Sequence, residues 1–327
     1  MEVASDWGGG GPLFLLLVVV VADALVGTLP GLRVICDAPL NAIRGLTGWF
    51  DSKLNRVQRG GDARRMRGLF VVLAVSVPAW AVGLALSGIA REVPNGWAIE
   101  AVVLVALLRQ RDCIGKMQRG WRQLSAGNFD DARNAVDPLV RYDARALDNF
   151  GVARAAIEGG TACFSDRFLA TIFWYLVLGL PGVLLCRSIN AVADVIGKNS
   201  PRHASFGFVA ARLDDILSLV PSIIAGPVIS IAAIFVPRTS SLAALKGWVS
   251  DLGARGARSD FRGEGAMAGA LGVALGGPRP YDNDTIAGAW IGEGRARATV
   301  SDIKRAIFLI SIACLLVATA LALAVLA

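Results

Sequence analysis

The sequence has only one histidine and no Cys-x-x-Cys pair in its 327 residues. A metal centre or a proton relay built from several imidazoles is therefore excluded, and the pattern favours a loop residue over a ligand for His203. The cysteines are dispersed and odd in number, so neither a disulfide framework nor a zinc site is indicated. They are Cys36, Cys113, Cys163, Cys186 and Cys314.

Charged residues are also scarce, at 18% against 54% hydrophobic residues, whereas about a quarter of an average soluble domain is charged. The apolar residues form blocks, most of them near the ~20 residues that cross a ~30 Å hydrocarbon core. These blocks lie at 12–30, 68–90, 97–108, 168–186, 216–237 and 306–327.

The blocks predict an all-α fold, a polytopic integral membrane helical bundle forming a single domain over residues 1–327. The third block has about a dozen residues and contains Glu100, so it is the weakest of the six. The first block is preceded by Glu2 and Asp6 rather than by basic residues, which favours a retained anchor over a signal peptide.

Lysine and arginine are distributed unevenly among the connections. Eight lie in 31–67, ten in 109–167 and ten in 238–305, but only one in 91–96 and four in 187–215. Because cytoplasmic loops are enriched in these residues, three helical cytoplasmic loops and two outer termini are predicted. The net charge of +7 is then explained by topology and by anionic lipid in the bilayer, and no nucleic-acid partner is expected.

Segment 31–67 has the pattern of an amphipathic helix lying on the inner membrane surface. Its apolar positions recur at spacings of three and four, with basic residues between them. The apolar residues are Ile43, Leu46, Trp49, Phe50 and Leu54, and the basic ones are Arg44, Lys53, Arg56 and Arg59. Further on, the run Gly127-Asn128-Phe129-Asp130, followed by Ala132 and Ala135, predicts a turn that caps a new helix.

Polar residues that are not simple basic anchors border the fourth and fifth apolar blocks. Asn190 and Asp194 follow one block, and Arg212 stands before Asp214 and Asp215 at the start of the next. Two adjacent carboxylates can bind Mg²⁺, which makes Asp214 and Asp215 a candidate metal site. The alternative is an acidic helix N-terminus that the helix dipole favours.

Segment 263–278 is rich in glycine. Gly265 and Gly269 are four residues apart, which favours close helix packing, while backbone amides of such a loop could also hold a phosphate. The segment lacks the P-loop pattern, and no predicted strand precedes it. Packing and turns are therefore the favoured role of these glycines.

Five motifs together resemble one family. They are DARALDNFGVARAAIEGGTACFSDRFLATIF from Asp143, FWYLVLGLPG, SINAVADVIGKNSPR, FGFVAARLDDILSLVP and AMAGALGVALGGPRPY. In this order and spacing they look like the CobD/CbiB family of cobalamin biosynthesis. The similarity extends to CDAPLNAIRGLTGWFDSKLNR and to the last apolar block, so it covers nearly the whole chain.

The resemblance implies a multi-pass enzyme of the bacterial cytoplasmic (inner) membrane. Family members join adenosylcobyric acid to aminopropanol, or to its phosphate, in an ATP-driven amide-forming reaction. ATP and Mg²⁺ are the implied co-substrates, the corrinoid is the implied substrate, and other late corrin-pathway membrane enzymes are possible partners. Phosphate chemistry of this kind needs carboxylates for the metal and cationic groups for phosphate charge.

The resemblance also implies site residues. The catalytic set comprises Asp166, Asn190, Arg212, Asp214 and Asp215, the last two also as Mg²⁺ ligands. The substrate-binding set comprises Asp143, Arg154, Glu158, Gly276, Gly277 and Pro278.

At other positions the chain departs from the family pattern, with small or apolar residues where polar ones are typical. Examples are Gly159, Ala162 and Cys163, together with 27–29 and 259–261. Because alanine cannot replace a carboxylate ligand, a non-catalytic membrane sensor or assembly protein, as AmpE-like relatives are thought to be, is the alternative. A transporter is a weaker third interpretation, based on proline- and glycine-broken blocks four and five.

The predicted topology creates a conflict. It places Asn190 and Arg212 to Asp215 on the outer side, away from cytoplasmic ATP. Either blocks four and five re-enter and return to the cytoplasmic face, or these motifs are structural.

Overall fold

The computed structural model describes residues 11–26, 30–56, 58, 60–197, 202–253, 263–281 and 284–327. The departures at 27–29 and 259–261, and the predicted basic residue at position 59, lie outside the described residues. The predicted all-α membrane fold is confirmed, since the described elements are almost all helices.

The helices are α1 (Pro12–Val26), α2 (Pro30–Leu54), α3 (Gly61–Glu92), α4 (Trp97–Leu108), α5 (Gln110–Ser125), α6 (Phe129–Val136), α7 (Asn149–Cys163), α8 (Ala170–Ile196), α9 (Phe208–Ala232), α10 (Ser241–Gly253), α11 (Glu264–Leu271) and α12 (Val300–Leu326). Short 3₁₀ turns lie at Asp137–Leu139 and Ala144–Ala146, and a π-helical segment, Phe164–Leu169, continues α7 into α8.

Among the described residues, four helical stretches are long and apolar enough to cross a membrane: α3, the continuous stretch Asn149–Ile196, α9 and α12. The first block forms α1, which is apolar but shorter. The third block has the predicted bounds, since α4 begins at Trp97 and ends at Leu108. Its 12 residues cover only about 18 Å, less than a ~30 Å hydrocarbon core. Alone, α4 is too short to cross.

Four short strands follow α11: β1 (Leu275–Gly276), β2 (Arg279–Tyr281), β3 (Asp284–Ile286) and β4 (Trp290–Ile291). They form two antiparallel pairs, β1 with β4 and β2 with β3. In the β1–β4 pair Leu275 lies opposite Ile291 and Gly276 opposite Trp290. The pairing fixes the glycine-rich turn that follows β1.

The described chain forms two compact units. The first unit comprises Met1–Arg109, Ala170–Leu217 and Ala320–Ala327, and the second comprises Gln110–Leu169 and Ser218–Thr319. The single domain over residues 1–327 stays a prediction.

In the first unit, α3 packs along α8. The core between them contains Val71, Val72 and Val75 of α3 with Val192 and Ile196 of α8. Phe206 closes the same core, and its carbonyl group lies where a Cβ at Gly68 would be. The contacts pair the start of α3 with the end of α8, so the two helices run antiparallel.

Helix α2 is predicted to lie with its apolar side on the membrane surface, and this is only partly so. Ile43, Phe50 and Leu54 pack against the α3–α8 core, so this side of the helix faces protein rather than lipid. Leu46 and Trp49 remain exposed, at 45% and 55%. Only these two of the five predicted apolar residues are available to a membrane surface.

The segment 187–215 contacts the segment 31–67 directly. Arg44 forms an ion pair with Asp194 at 3.1 Å, and Arg202 forms one with Asp51 at 3.0 Å. Two segments joined by ion pairs lie on the same side of any membrane. The prediction that they face opposite sides is therefore wrong, because it counted the short helix α4 as a crossing.

His203 belongs to the same set of contacts. Its Nε2 lies 3.3 Å from Asp51 Oδ1, and Asn55 Nδ2 donates to Asp51 at 2.8 Å. Burial raises the pKa of Asp51, but the contacts from His203, Asn55 and Arg202 outweigh it and lower the pKa overall. Asp51 therefore stays ionised and holds the two segments together.

Helices α8 and α9 contain the predicted glycine and proline breaks. Gly179 has a φ of 66°, a conformation that favours glycine, and it kinks α8. Pro221 lacks the N–H that the carbonyl of Leu217 would accept in a helix. The indole N–H of Trp174 donates to that carbonyl at 3.0 Å instead.

Glu100 is buried in the first unit although it lies in an apolar helix. It is 3% exposed and accepts a hydrogen bond from the Tyr175 hydroxyl at 2.5 Å. The contact joins α4 to α8.

In the second unit, α10 packs closely on α11. A Cβ at Gly247 would lie 2.2 Å from the carbonyl oxygen of Gly265, and one at Gly269 would lie 2.1 Å from that of Ala243. The predicted packing role of Gly265 and Gly269 is confirmed.

Candidate active site

Glu158 of α7 is the centre of a buried polar cluster in the second unit. It is 3% exposed. Its Oε1 accepts the backbone N–H of Gly276 at 2.6 Å, and its Oε2 accepts the Tyr142 hydroxyl at 2.9 Å. Arg279 Nη2 also donates to Oε2, at 3.4 Å. Donors from three segments of the chain therefore converge on one carboxylate.

Arg279 joins this carboxylate to a second one. Its Nη2 lies 3.9 Å from Glu264 Oε2, and its guanidinium carbon lies 5.4 Å from the centre of the Tyr142 ring. The arginine side chain is 21% exposed, whereas Glu158 and Glu264 are almost fully buried. We call Tyr142, Glu158, Glu264, Gly276 and Arg279 the Glu158 cluster.

The glycine turn explains how the backbone reaches Glu158. Gly276 and Gly277 have φ values of 74° and 80°, which residues with a side chain adopt at a cost. A Cβ at Gly277 would also lie 2.7 Å from the Trp290 ring. Both glycines are therefore required for the turn that points the Gly276 N–H at Glu158.

Burial, and then the negative charge of Glu158, raises the pKa of Tyr142 well above its ordinary value. The Tyr142 hydroxyl stays protonated and donates to Glu158 throughout the physiological pH range.

A second polar cluster lies in the first unit. Arg187 Nη1 donates to Asn190 Oδ1 at 3.3 Å, and Asn190 Nδ2 donates to Asp214. Arg187 and Asn190 are each 5% exposed, and Asp214 is 1% exposed. We call Arg187, Asn190 and Asp214 the Asn190 cluster. Buried polar groups inside apolar helices are costly, which makes a functional role the default hypothesis.

Asp214 and Asp215 do not converge. Successive residues of a helix point about 100° apart, and Asp214 faces Asn190 whereas Asp215 lies 3.5 Å from Arg212. Arg212 itself is 58% exposed. Across the residues that the structure describes, no three His, Cys, Asp or Glu side chains gather in a way that would hold a metal. The two aspartates therefore do not fit a shared Mg²⁺ site, and the ion stays a prediction.

Comparison with known proteins gives a match over most of the chain. The family described as "CobD/Cbib protein" matches residues 16–310. The chain belongs to the CobD/CbiB family. "Cobalamin biosynthesis protein CobD" of a Sinorhizobium species is 34% identical over 94% of this chain and 96% of its own length. The protein of the same name from Brucella melitensis is 32% identical over 91% of this chain and 92% of its own. No solved structure matches.

The remaining predicted residues of this CobD/CbiB member lie in the second unit, outside the direct contacts of Glu158. Asp143 caps a 3₁₀ turn by accepting the Arg145 N–H at 3.0 Å. Arg154 donates to the carbonyl of Ala296 at 3.2 Å and lies 4.9 Å from the centre of the Trp290 ring. These contacts favour a structural role for both residues.

Asp166 lies in the π-helical segment, is 6% exposed, and accepts the Ser165 hydroxyl at 3.1 Å. Pro278 is exposed directly after the glycine turn. The structure thus brings Glu158 together with Gly276, and Asn190 together with Asp214.

Sequence reasoning missed Tyr142, Glu264, Arg279 and Arg187. Arg279 and Glu158 are 121 positions apart, so no local spacing links them. Glu264 and Arg279 do lie at the two ends of the glycine-rich segment, which was the available signal.

Proposed function

We propose that this protein acts in cobalamin biosynthesis as an ATP-dependent ligase. It joins adenosylcobyric acid to aminopropanol, or to its phosphate, through an amide bond and gives adenosylcobinamide or its phosphate. Support comes from the family match over residues 16–310 and from relatives that carry the name "Cobalamin biosynthesis protein CobD" along almost their whole length.

The Glu158 cluster carries the proposal. Burying two carboxylates and a guanidinium costs free energy that packing alone could avoid. Arg279 is the most exposed charge of the cluster, so it is the group that a ligand reaches first. Glu158 and Tyr142 hold its guanidinium in place. A buried site of this kind is typical of substrate binding rather than of a solvated surface.

In the proposed reaction, the corrinoid carboxylate attacks the γ-phosphorus of ATP, which gives an acyl phosphate and ADP. The amine then attacks the acyl carbon, loses a proton, and expels phosphate. Arg279 would face the phosphate oxygens, where positive charge stabilises the transferred group.

The catalytic set of Asp166, Asn190, Arg212, Asp214 and Asp215 stays part of the proposal. Asn190 is the member best supported, because Arg187 and Asp214 fix both ends of its amide. Mg²⁺ would accompany ATP, and we assign no step to it through Asp214 and Asp215, because these carboxylates diverge.

One observation favours the alternative, a non-catalytic sensor or assembly protein. Two positions where the family is typically polar have packing roles here. A Cβ at Gly159 would lie 2.5 Å from that of Leu139, and Cys163 is buried beside Cys113.

An assay separates the two candidates. Purified protein in lipid nanodiscs is incubated with adenosylcobyric acid, aminopropanol phosphate, ATP and Mg²⁺, and the corrinoids are resolved by chromatography and mass spectrometry. The ligase is expected to form the amide and to consume one ATP for each amide. Corrinoid binding without amide formation, beside an active CobD relative, would support the non-catalytic alternative.

We further propose a multi-pass arrangement in the bacterial inner membrane, in which 31–67 and 187–215 lie on the same side of the bilayer. The ion pairs between Arg44 and Asp194 and between Arg202 and Asp51 support this common side.

Single cysteines at exposed positions test this arrangement in a variant lacking the native cysteines. Ser52→Cys and Ala204→Cys are expected to react with a membrane-impermeant maleimide in the same vesicles, either inside-out or right-side-out. Asn95→Cys, beyond the other end of α3, is the matched control and should react in the vesicles of the opposite orientation. Reaction of Ser52→Cys and Ala204→Cys from opposite sides would contradict the shared side.

A further inference from the structure

Two cysteines that are far apart in the sequence meet in the second unit. Cys113 of α5 and Cys163, the last residue of α7, are 0% and 2% exposed, and their thiols are hydrogen-bonded to each other. Arg167 of the π-helical segment donates to Cys113 Sγ at 3.4 Å. A guanidinium beside a thiol favours its thiolate, and the neighbouring Cys163 thiol lies where it can attack an oxidised Cys113 sulfur.

The charges around Cys113 favour its thiolate. Cys163 donates a hydrogen bond from α7, Arg167 faces it from the π-helical segment, and Lys116 and Asp112 lie on its own helix. Lys116 is paired with Asp112 at 2.7 Å. The hydrogen bond from Cys163, opposed by burial and aided by Arg167 and Lys116, lowers the pKa of Cys113 to about 6. Most Cys113 is then ionised at neutral pH.

We propose that Cys113 and Cys163 are a modification site at which hydrogen peroxide forms an intramolecular disulfide. The Cys113 thiolate attacks one peroxide oxygen and the O–O bond breaks, which gives a sulfenic acid and hydroxide. Cys163 then attacks the sulfenic sulfur, the S–S bond forms, and the departing oxygen leaves as water with the Cys163 proton. The two sulfurs lose two electrons, which reduce one peroxide to water and hydroxide.

Because both thiols are buried, only a small oxidant can reach them. A peroxide molecule is little larger than water, whereas a glutathione disulfide is too bulky for a site whose two sulfurs are almost fully buried. The position of Cys163 sets the consequence, because it immediately precedes the π-helical segment that contains Asp166. A disulfide shortens the sulfur–sulfur distance to about 2.05 Å and removes the thiolate that Arg167 contacts. Oxidation therefore changes the surroundings of a proposed site residue.

The test uses the full chain in detergent or nanodiscs, treated with hydrogen peroxide, unfolded, alkylated and digested. A peptide pair linked through Cys113 and Cys163 is expected in the wild type. Cys163→Ser should stop at a Cys113 sulfenic acid that dimedone traps. Cys186→Ser, which removes a buried cysteine of the first unit, is the matched control and should still form the link. Oxidation confined to Cys314, or a link between other cysteines, would overturn the proposal.

Two further measurements do not depend on the folding of the cysteine variants. The rate of oxidation of the wild type should rise with a midpoint near pH 6 and level off about one pH unit higher. An ordinary thiol, with a pKa near 8.5, would keep gaining rate beyond pH 8. Arg167→Gln, which keeps both thiols, should slow the reaction several-fold and move its pH midpoint upwards. A rate that still climbs above pH 8 in the wild type would refute the thiolate step. These readouts measure sulfur chemistry and do not require ligase activity.

Discussion

Replacing Glu158 by glutamine is expected to lower kcat/KM for amide formation by about ten- to a hundredfold, since a hydrogen bond to a charged group contributes roughly 1.5 to 3 kcal/mol. Glutamine has nearly the same size, and its oxygen can still accept the Gly276 N–H. The glutamine NH₂ group, however, would face Arg279, whose Nη2 donates a hydrogen bond to Glu158 Oε2 at 3.4 Å in the wild type. The guanidinium then loses its nearest anion and its fixed position.

The measurement is steady-state kinetics with the amine and the corrinoid varied in turn. Glu293→Gln makes the same chemical change at an exposed position of the second unit and should leave kcat/KM unchanged. Thermal unfolding of both variants separates lost activity from lost folding. A Glu158→Gln protein that is folded and fully active would remove the Glu158 cluster from the proposed site.

Replacing Asp302 by alanine is expected to cost about 3 kcal/mol or more of unfolding free energy, the scale for removing one partner of a buried ion pair. Asp302 is 0% exposed and accepts both the N–H and the hydroxyl of Thr299 at 2.8 Å, which starts α12. Arg295 Nη2 also donates to its two oxygens at 2.6 and 2.7 Å, and Arg305 donates to one of them. The substitution leaves two arginines without this carboxylate and removes the helix cap.

Asp130→Ala is the matched control for Asp302→Ala. Asp130 also pairs with an arginine, Arg133 at 2.9 Å, but its side chain is 93% exposed. Exposed pairs contribute about 0 to 1 kcal/mol, so its melting temperature should change little. Melting in detergent, followed by size-exclusion chromatography, compares the two variants. Equal shifts would mean that the Asp302 contacts do not stabilise the start of α12.

Features set by neighbouring residues could be predicted from the sequence. The bounds of α4 follow from its apolar run between polar residues. The predicted turn that caps a new helix is also present, since Gly127 has a φ of 80° and α6 begins at Phe129. The spacing of Gly265 and Gly269 predicted close packing, because small residues one turn apart leave room for a neighbouring backbone.

Contacts between distant residues could not be predicted in this way. Arg187 lies three positions from Asn190, but in sequence it looks like an ordinary basic residue at the end of an apolar block. Cys113 and Cys163 carry no motif, since their contact depends on the packing of α5 against α7. The wrong prediction that 187–215 and 31–67 face opposite sides has the same origin, because a count of charges cannot show that a short apolar helix stops before it crosses.

The buried pair of Glu100 and Tyr175 has a consequence for biosynthesis. Glu100 is translated 75 residues before Tyr175, so the ribosome delivers α4 to the membrane before its hydroxyl partner exists. An ionisable residue in an apolar helix is costly to insert into a membrane, and a helix of 12 residues has little apolar length to offset that cost. Helix α4 is therefore expected to wait at the translocon or the membrane surface and to take its final place only after α8 has been made.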